Sequence, residues 1–267
     1  MINQVLVRQL LDDRFRIQRD RIRCGNRISA ILRGSDTADQ RVLEYLYEQH
    51  QRLLEDEQRA TERLLDELDG VPTLDAACGV KGVGRVLAAQ VIAEIGDIGR
   101  FPTVSKLWRY SGYGLAPYWV NKDGRVMAPK VGRKWERVDG KLISVKAEVQ
   151  PEEGWELKVI PDRKVKGFLL PYNSRLKHII HIVAQSLLKS NSPYREIYDD
   201  AIASYSPGLR KIVRHMRAMR KMKKIWLSHL WEVWRRLEGL PVRKAWIFEH
   251  GGHQDYLDPQ AFGWLID

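Results

Sequence analysis

Cysteine is nearly absent, with Cys24 and Cys78 the only two. Both fall in helical patterns, so no disulfide framework is expected, and a reducing cytoplasm is the expected compartment. Long apolar runs are missing as well. None approaches the ~20 residues that cross a bilayer, and the N-terminus has no hydrophobic signal segment. Acidic side chains are scarce in one place: after Asp200 the next is Glu232. Metal-ligand patterns are poor. His178 and His181 share a helical face, but no carboxylate or thiol sits at helical spacing beside them, and structural zinc wants four ligands. Glu249, His250, His253, Asp255 and Asp258 suit a divalent ion by type, but their glycine-containing loop spacing reads as a packed or disordered tail. No metal and no cofactor is expected.

What is present is a chain of 267 residues, 44% hydrophobic and 30% charged, enough for a sizeable core. Its formal net charge of +11 is unevenly placed. Met1–Gly70 holds 12 basic and 14 acidic residues, a net of −2, and the remainder carries +13. The positive field therefore belongs to everything after residue 70. It favours an anionic partner without implying sequence preference.

Val5 to Arg33 reads as one long helix, with Leu10, Ile17, Cys24 and Ile31 repeating every seven residues. Gly34-Ser35-Asp36-Thr37 breaks it, and Ala38 to Leu68 continues the seven-residue step at Leu46, Leu53 and Ala60. The first helix is rich in arginine (Arg14, Arg16, Arg19, Arg21, Arg23, Arg27) and the second in carboxylates. An antiparallel hairpin with complementary flanks is expected, or a coiled-coil dimer in which each helix pairs with another chain. The arginines read as a solvated face or as a nucleic-acid contact.

Ala77-Cys78-Gly79-Val80-Lys81-Gly82-Val83-Gly84-Arg85 organises the middle of the chain. Gly82 and Gly84 permit a tight turn with φ > 0 between two helices. The unpaired amides at the next helix start would then meet a phosphate, helped by the helix dipole. This is the pattern of a helix-hairpin-helix, which grips a nucleic-acid backbone without reading bases. A plain αα-corner is the other reading. Helices are also expected at Thr73–Cys78, Arg85–Ile95, Thr103–Tyr110, Asn173–Ser190, Tyr194–Tyr205 and Leu209–Glu238.

From Tyr118 to Leu170 the period changes to alternation, with turn signals at Asp123-Gly124, Asp139-Gly140 and Glu153-Gly154. An inserted antiparallel β-meander is expected. Its Lys122, Arg125, Lys130, Arg133, Lys134 and Arg137, with Trp119 and Trp135, form either a nucleic-acid face or an ordinary solvated sheet. In the last long helix Arg210, Arg214, Arg217 and Lys221 step along one face, with Lys211, Arg220, Lys223 and Lys224 beside them. Such a stripe matches a phosphate backbone. A basic amphipathic helix on an anionic membrane is the alternative. Ile212, Met216, Met219, Met222, Trp226, Leu230 and Trp234 are expected to pack inward.

The order of these pieces resembles the C-terminal half of transposases of the insertion sequence 110 family. Gly79-Val80-Lys81-Gly82-Val83-Gly84 is followed by Ala88-Ala89-Gln90-Val91-Ile92-Ala93-Glu94-Ile95-Gly96-Asp97. Then come Arg100-Phe101-Pro102-Thr103 and Tyr110-Ser111-Gly112-Tyr113-Gly114-Leu115-Ala116-Pro117. After the insert, Tyr172-Asn173-Ser174-Arg175-Leu176-Lys177 and Ser192-Pro193-Tyr194-Arg195-Glu196-Ile197-Tyr198 resemble that family's next two segments. Gly25-Asn26-Arg27-Ile28 resembles part of its coiled coil. The resemblance implies a nucleic-acid-binding fold. Family members carry an N-terminal RuvC-like nuclease domain, expected to be absent here because nothing precedes Val5. They also place a catalytic serine after the G-L-x-P segment. Here Tyr118-Trp119-Val120-Asn121 follows Pro117, and neither Ser111 nor Ser144 matches, so no catalytic residue is assigned.

The expected fold is mainly α, in three parts: a coiled-coil hairpin over residues 1–70; a helix-hairpin-helix domain over 71–238 with the β-insert at 118–170; and a tail over 239–267. The expected function is a nucleic-acid-binding protein of transposase descent in DNA transposition or recombination. The alternatives are a strand-transfer subunit completed by a nuclease in trans, and a coiled-coil scaffold with a basic partner- or membrane-binding helix. The expected partners are DNA, or structured or guide RNA, and a second copy through the coiled coil, with no membrane. The nucleic-acid-binding set is Lys81, Gly82, Val83, Gly84, Arg85, Lys177, Arg210, Lys211, Arg214, Arg217, Arg220, Lys221 and Lys224.

Overall fold

The heptad-like spacing of the first third folds as two long helices, α1 (Gln4–Gly34) and α2 (Gln40–Glu67). The computed structural model describes residues 3–34, 40–242 and 256–265. The Ser35–Thr37 break, and Glu249, His250, His253 and Asp255 of the tail, lie outside the described residues. The protein is mainly α, with eight α-helices and five short strands among the described residues. It packs as two compact units: residues 1–78 with 84–97, and residues 79–83 with 98–267.

In the first unit α1 and α2 run antiparallel. Cys24 and Ile28 pack on Leu46, while Arg14 meets Glu57 and Thr61 nearer the other end. The buried side of α1 is Val7, Leu11, Arg14, Cys24 and Ile28. Leu10 and Ile17, which the seven-residue count assigns to the seam, are only half-buried. Their place is taken by a polar layer: Glu57 accepts from Arg14 (3.3 Å), Gln18 (2.8 Å) and Arg21 (2.6 Å). A buried carboxylate with three donors is satisfied, so the seam tolerates it. Helices α3 (Pro72–Cys78) and α4 (Arg85–Ile95) complete this unit. Arg8 of α1 bonds the buried Glu94 of α4 at 2.9 Å.

The second unit is built on α5 (Val104–Tyr110), α6 (Ser174–Lys189), α7 (Tyr194–Ser204) and α8 (Lys211–Leu237). Asn173 caps α6 by accepting the Leu176 N–H at 3.0 Å. The C-terminal half of α8 is buried nearly all round, from Trp226 to Arg235. Trp231 donates to the Phe101 carbonyl at 2.6 Å, and Arg235 donates to the carbonyls of Ile98 and Phe101. Tyr194 hydrogen-bonds His229 and receives the indole N–H of Trp264. Burial pushes the His229 pKa down to about 4, which leaves that ring neutral and fit for a core. Ile212 and Met216, expected inside, are exposed, because the first two turns of α8 extend past the apolar packing.

The insert is not a meander. Strand β1 (Leu115–Val120) lies between β2 (Val126–Pro129) and β5 (Glu156–Pro161), so its second neighbour comes from far along the chain. Strands β3 (Val131–Val138) and β4 (Lys141–Glu148) form a separate two-stranded ribbon. Asp139 (φ 49°) and Gly140 (φ 76°) close it, as an Asp-Gly hairpin turn requires. Both faces of the ribbon remain largely exposed, Trp135 at 61%. Its alternating pattern therefore does not mark a buried face.

Candidate nucleic-acid interface

The glycine turn is divided between the two units. In the second unit, Gly82 has φ +96°, and a Cβ there would collide with Ser190 Oγ. Ser186 donates to the Gly82 carbonyl at 2.7 Å, and Ser190 donates to that of Lys81. Gly79 is pressed against the Gly263 carbonyl and Leu265. Close approach at these glycines is therefore made by the protein's own chain. Val83 is buried and its N–H closes the turn on Val80. The Lys81 side chain is exposed.

In the first unit, Gly84 begins α4 with φ −80° and ψ 160°, a conformation open to any residue, and space around it is clear. The expectation of φ > 0 holds for Gly82 and not for Gly84. No side chain caps α4, and among the described residues the first-turn amides of Arg85 and Val86 find no acceptor. This exposed helix start has the geometry that favours an anion. The Arg85 side chain, in contrast, is paired with Asp69 (3.0 Å) and Asp75 (3.3 Å).

Along α8 the expected stripe divides into two sets. Arg210, Lys211, Arg217 and Lys221 are exposed and Arg214 is half-buried. No carboxylate among the described residues lies within ion-pair distance of these five. The Arg214 Nε is buried without a partner. Arg220 and Lys224 are turned toward the protein. Arg220 donates to the carbonyls of Tyr113 and Gly114, the latter at 2.9 Å. The Lys224 ammonium lies 3.8 Å from the centre of the Trp108 ring, and its pKa falls to about 8 through burial and the nearby Arg220.

Lys177 reaches the same neighbourhood from α6, with its ammonium 4.1 Å above the Tyr172 ring. Lys223, buried to 4% exposure, donates to His181 Nδ1 at 2.8 Å. Burial, followed by the charges of Lys177 and Arg220, lowers its pKa to about 8. Asp162 is buried opposite them. Its Oδ1 accepts the Tyr118 hydroxyl, its Oδ2 has no partner, and burial raises its pKa. Sequence reasoning left Lys223, His181 and Asp162 out of the site. Lys223 lies on the apolar face of α8, and Asp162 looks like an ordinary strand-end carboxylate. The Tyr172–Lys177 segment was the available signal.

The two serines near the G-L-x-P segment are held in structural bonds. Ser111 Oγ donates to the Leu107 carbonyl at 2.8 Å, and Ser144 Oγ accepts from Arg133 at 2.8 Å. Arginines of α1 are largely paired, Arg14 and Arg21 with Glu57, Arg16 with Asp13 and Arg23 with Asp20. No group of three or more histidines, cysteines or carboxylates among the described residues has metal-site geometry. No helix among them is long and apolar enough to cross a membrane.

The molecule is thus a mainly helical protein with a glycine turn, an open helix start and, among the described residues, a row of cations without carboxylate partners. The model of the Transposase IS116/IS110/IS902 family matches residues 75–122, which run from α3 through the glycine turn, α4 and α5 into β1. The likeness to transposases of the insertion sequence 110 family is thereby shown over that stretch. No curated protein matches the chain.

Proposed function

We propose that the protein binds the backbone of DNA, or of structured RNA, in a transposition or recombination process from whose transposase it descends. The observation that supports this most is the row of exposed Arg210, Arg217 and Lys221 with half-buried Arg214, which has no carboxylate partner among the described residues. Natural surfaces intersperse both signs, and an unmixed row at helical spacing follows a polyanion. The open start of α4 in the first unit offers a further point for phosphate, and the exposed Lys81 in the second unit adds a cation of its own. Both features contact phosphate rather than base edges, so affinity should depend little on sequence.

The test is fluorescence anisotropy with duplex, junction and hairpin RNA across a salt series. Four phosphate contacts predict a slope of log K on log salt of about −3.6. Absence of binding to all three at low salt overturns the proposal. Self-association through α1 and α2 belongs to the same reading. Exposed Val42, Tyr45, Tyr47 and Ile22 on those helices support it, and sedimentation equilibrium tests it.

A further inference from the structure

Three cations from two helices converge in the second unit with too little negative charge to balance them. Lys177 comes from α6, and Arg220 and Lys223 come from α8. Arg220 and Lys223 both lie over the Tyr113 ring, 5.9 Å and 5.6 Å from its centre, and the Tyr113 hydroxyl donates to the Lys177 carbonyl at 3.1 Å; the charges of Lys177 and Arg220 accordingly lower the pKa of Lys223. Among the described residues the carboxylate near them is Asp162, which forms no ion pair within 4.0 Å with any of the three, and one of its oxygens is buried without a partner. Burying like charges together is unfavourable unless an anion completes the set. The donor geometry is also incomplete as it stands. Lys223 uses one of its three N–H bonds on His181, and the two carbonyls held by Arg220 both take the same nitrogen. Among the described residues, two donors of Lys223, the remaining fork of Arg220 and the Lys177 ammonium have no hydrogen-bond acceptor and face only the rings of Tyr113 and Tyr172.

We infer that Lys177, Arg220 and Lys223 form a discrete site for a phosphate group, distinct from the diffuse arginine row and independent of whether that row binds a duplex. His181 is a positioning residue. Its neutral Nδ1 accepts from Lys223 and fixes the ammonium, while burial and the Lys223 charge keep the ring deprotonated. The phosphate is the end or backbone of a nucleic-acid strand, or free phosphate, which share this chemistry.

The site carries a pH signature. Burial holds Lys223 near 8, and an adjacent phosphate restores its charge, so binding takes up protons at about pH 8 and weakens as pH rises further. The other groups facing it are Arg109 of α5, Tyr113, Asp162, His181 and Lys224. Burial keeps Tyr113 protonated and lowers His181 further, so neither supplies that proton. Lys224, also near 8, adds to the uptake and is separated by its own variant.

The experiment follows thermal melting and calorimetry of the full chain with inorganic phosphate, a 5′-phosphorylated oligonucleotide and its unphosphorylated twin. Wild type should melt higher in phosphate than in chloride at matched ionic strength, and more so at about pH 7 than at about pH 9. Lys223→Met should lose at least tenfold in phosphate affinity while melting higher without phosphate, because an unbalanced buried charge has gone. Lys177→Met, on a half-buried side chain, should also lose the response. Lys224→Met should keep most of it. Preference for the phosphorylated oligonucleotide over inorganic phosphate identifies a strand end as the ligand; equal binding identifies free phosphate. No phosphate shift in wild type, or an intact response in both Lys223→Met and Lys177→Met, overturns the site. Arg214→Ala/Arg217→Ala/Lys221→Ala protein should retain the phosphate response, which separates this site's failure from failure of duplex binding.

Discussion

The basic residues of α1 and those of α8 are similar in number, yet their surroundings differ. In α1 the acidic partners are local or lie across the hairpin: Asp13 for Arg16, Asp20 for Arg23, and Glu57 for both Arg14 and Arg21. In α8 the first six turns offer no acidic residue, and Arg210, Arg217 and Lys221 face solvent. Cation count does not separate the two helices. What separates them is where the carboxylates sit, since a paired arginine has little field left for a distant phosphate. The tertiary fold makes the contrast sharper by burying Arg14 and half-burying Arg21 in a polar layer.

The comparison breaks most visibly at Glu57. Glu57→Ala leaves Arg14, at 7% exposure, without its carboxylate, and should destabilise the hairpin by about 3–5 kcal/mol in denaturant titration. An unchanged midpoint would mean that the layer is solvated and α1 resembles α8 after all. Next comes the other helix. Arg214→Ala/Arg217→Ala/Lys221→Ala should weaken duplex binding strongly and flatten the salt slope by about 2.7, with melting almost unchanged. The paired control Arg16→Ala/Arg23→Ala should leave the slope within about 0.5 of wild type by the same counterion argument. A change as large as that of the α8 variant would dissolve the distinction.

Smaller effects divide the glycine turn. Gly82→Ala places a Cβ against Ser190 Oγ at a positive φ and should cost about 1–3 kcal/mol by chemical denaturation. Gly84→Ala has room and an ordinary φ, so its effect should stay within about 0.5 kcal/mol. Equal losses at both positions would restore the symmetric turn that the sequence suggests.

Helix positions were legible because they rest on local signals. Asn173 caps α6 at the expected place, and the Asp-Gly and Glu-Gly pairs all form turns with glycine at positive φ. The transposase likeness was legible for the same reason, since the glycine turn and the helix after it are contiguous in the chain. Strand pairing was not. The β1–β5 partnership joins residues about forty apart, and alternation in β3 and β4 says which side chains share a face without saying that the face is covered.

The candidate site divides in the same way. Sequence alone determined the net +13 after residue 70, the helical spacing of the cations on α8 and the glycine at position 82. Only the tertiary structure decided which cations are free. It turned Arg220 onto two backbone carbonyls, buried Lys223 beside His181, and brought Lys177 to them from another helix. Charge is a property of the residue, but pairing and desolvation depend on neighbours that folding brings from far along the chain.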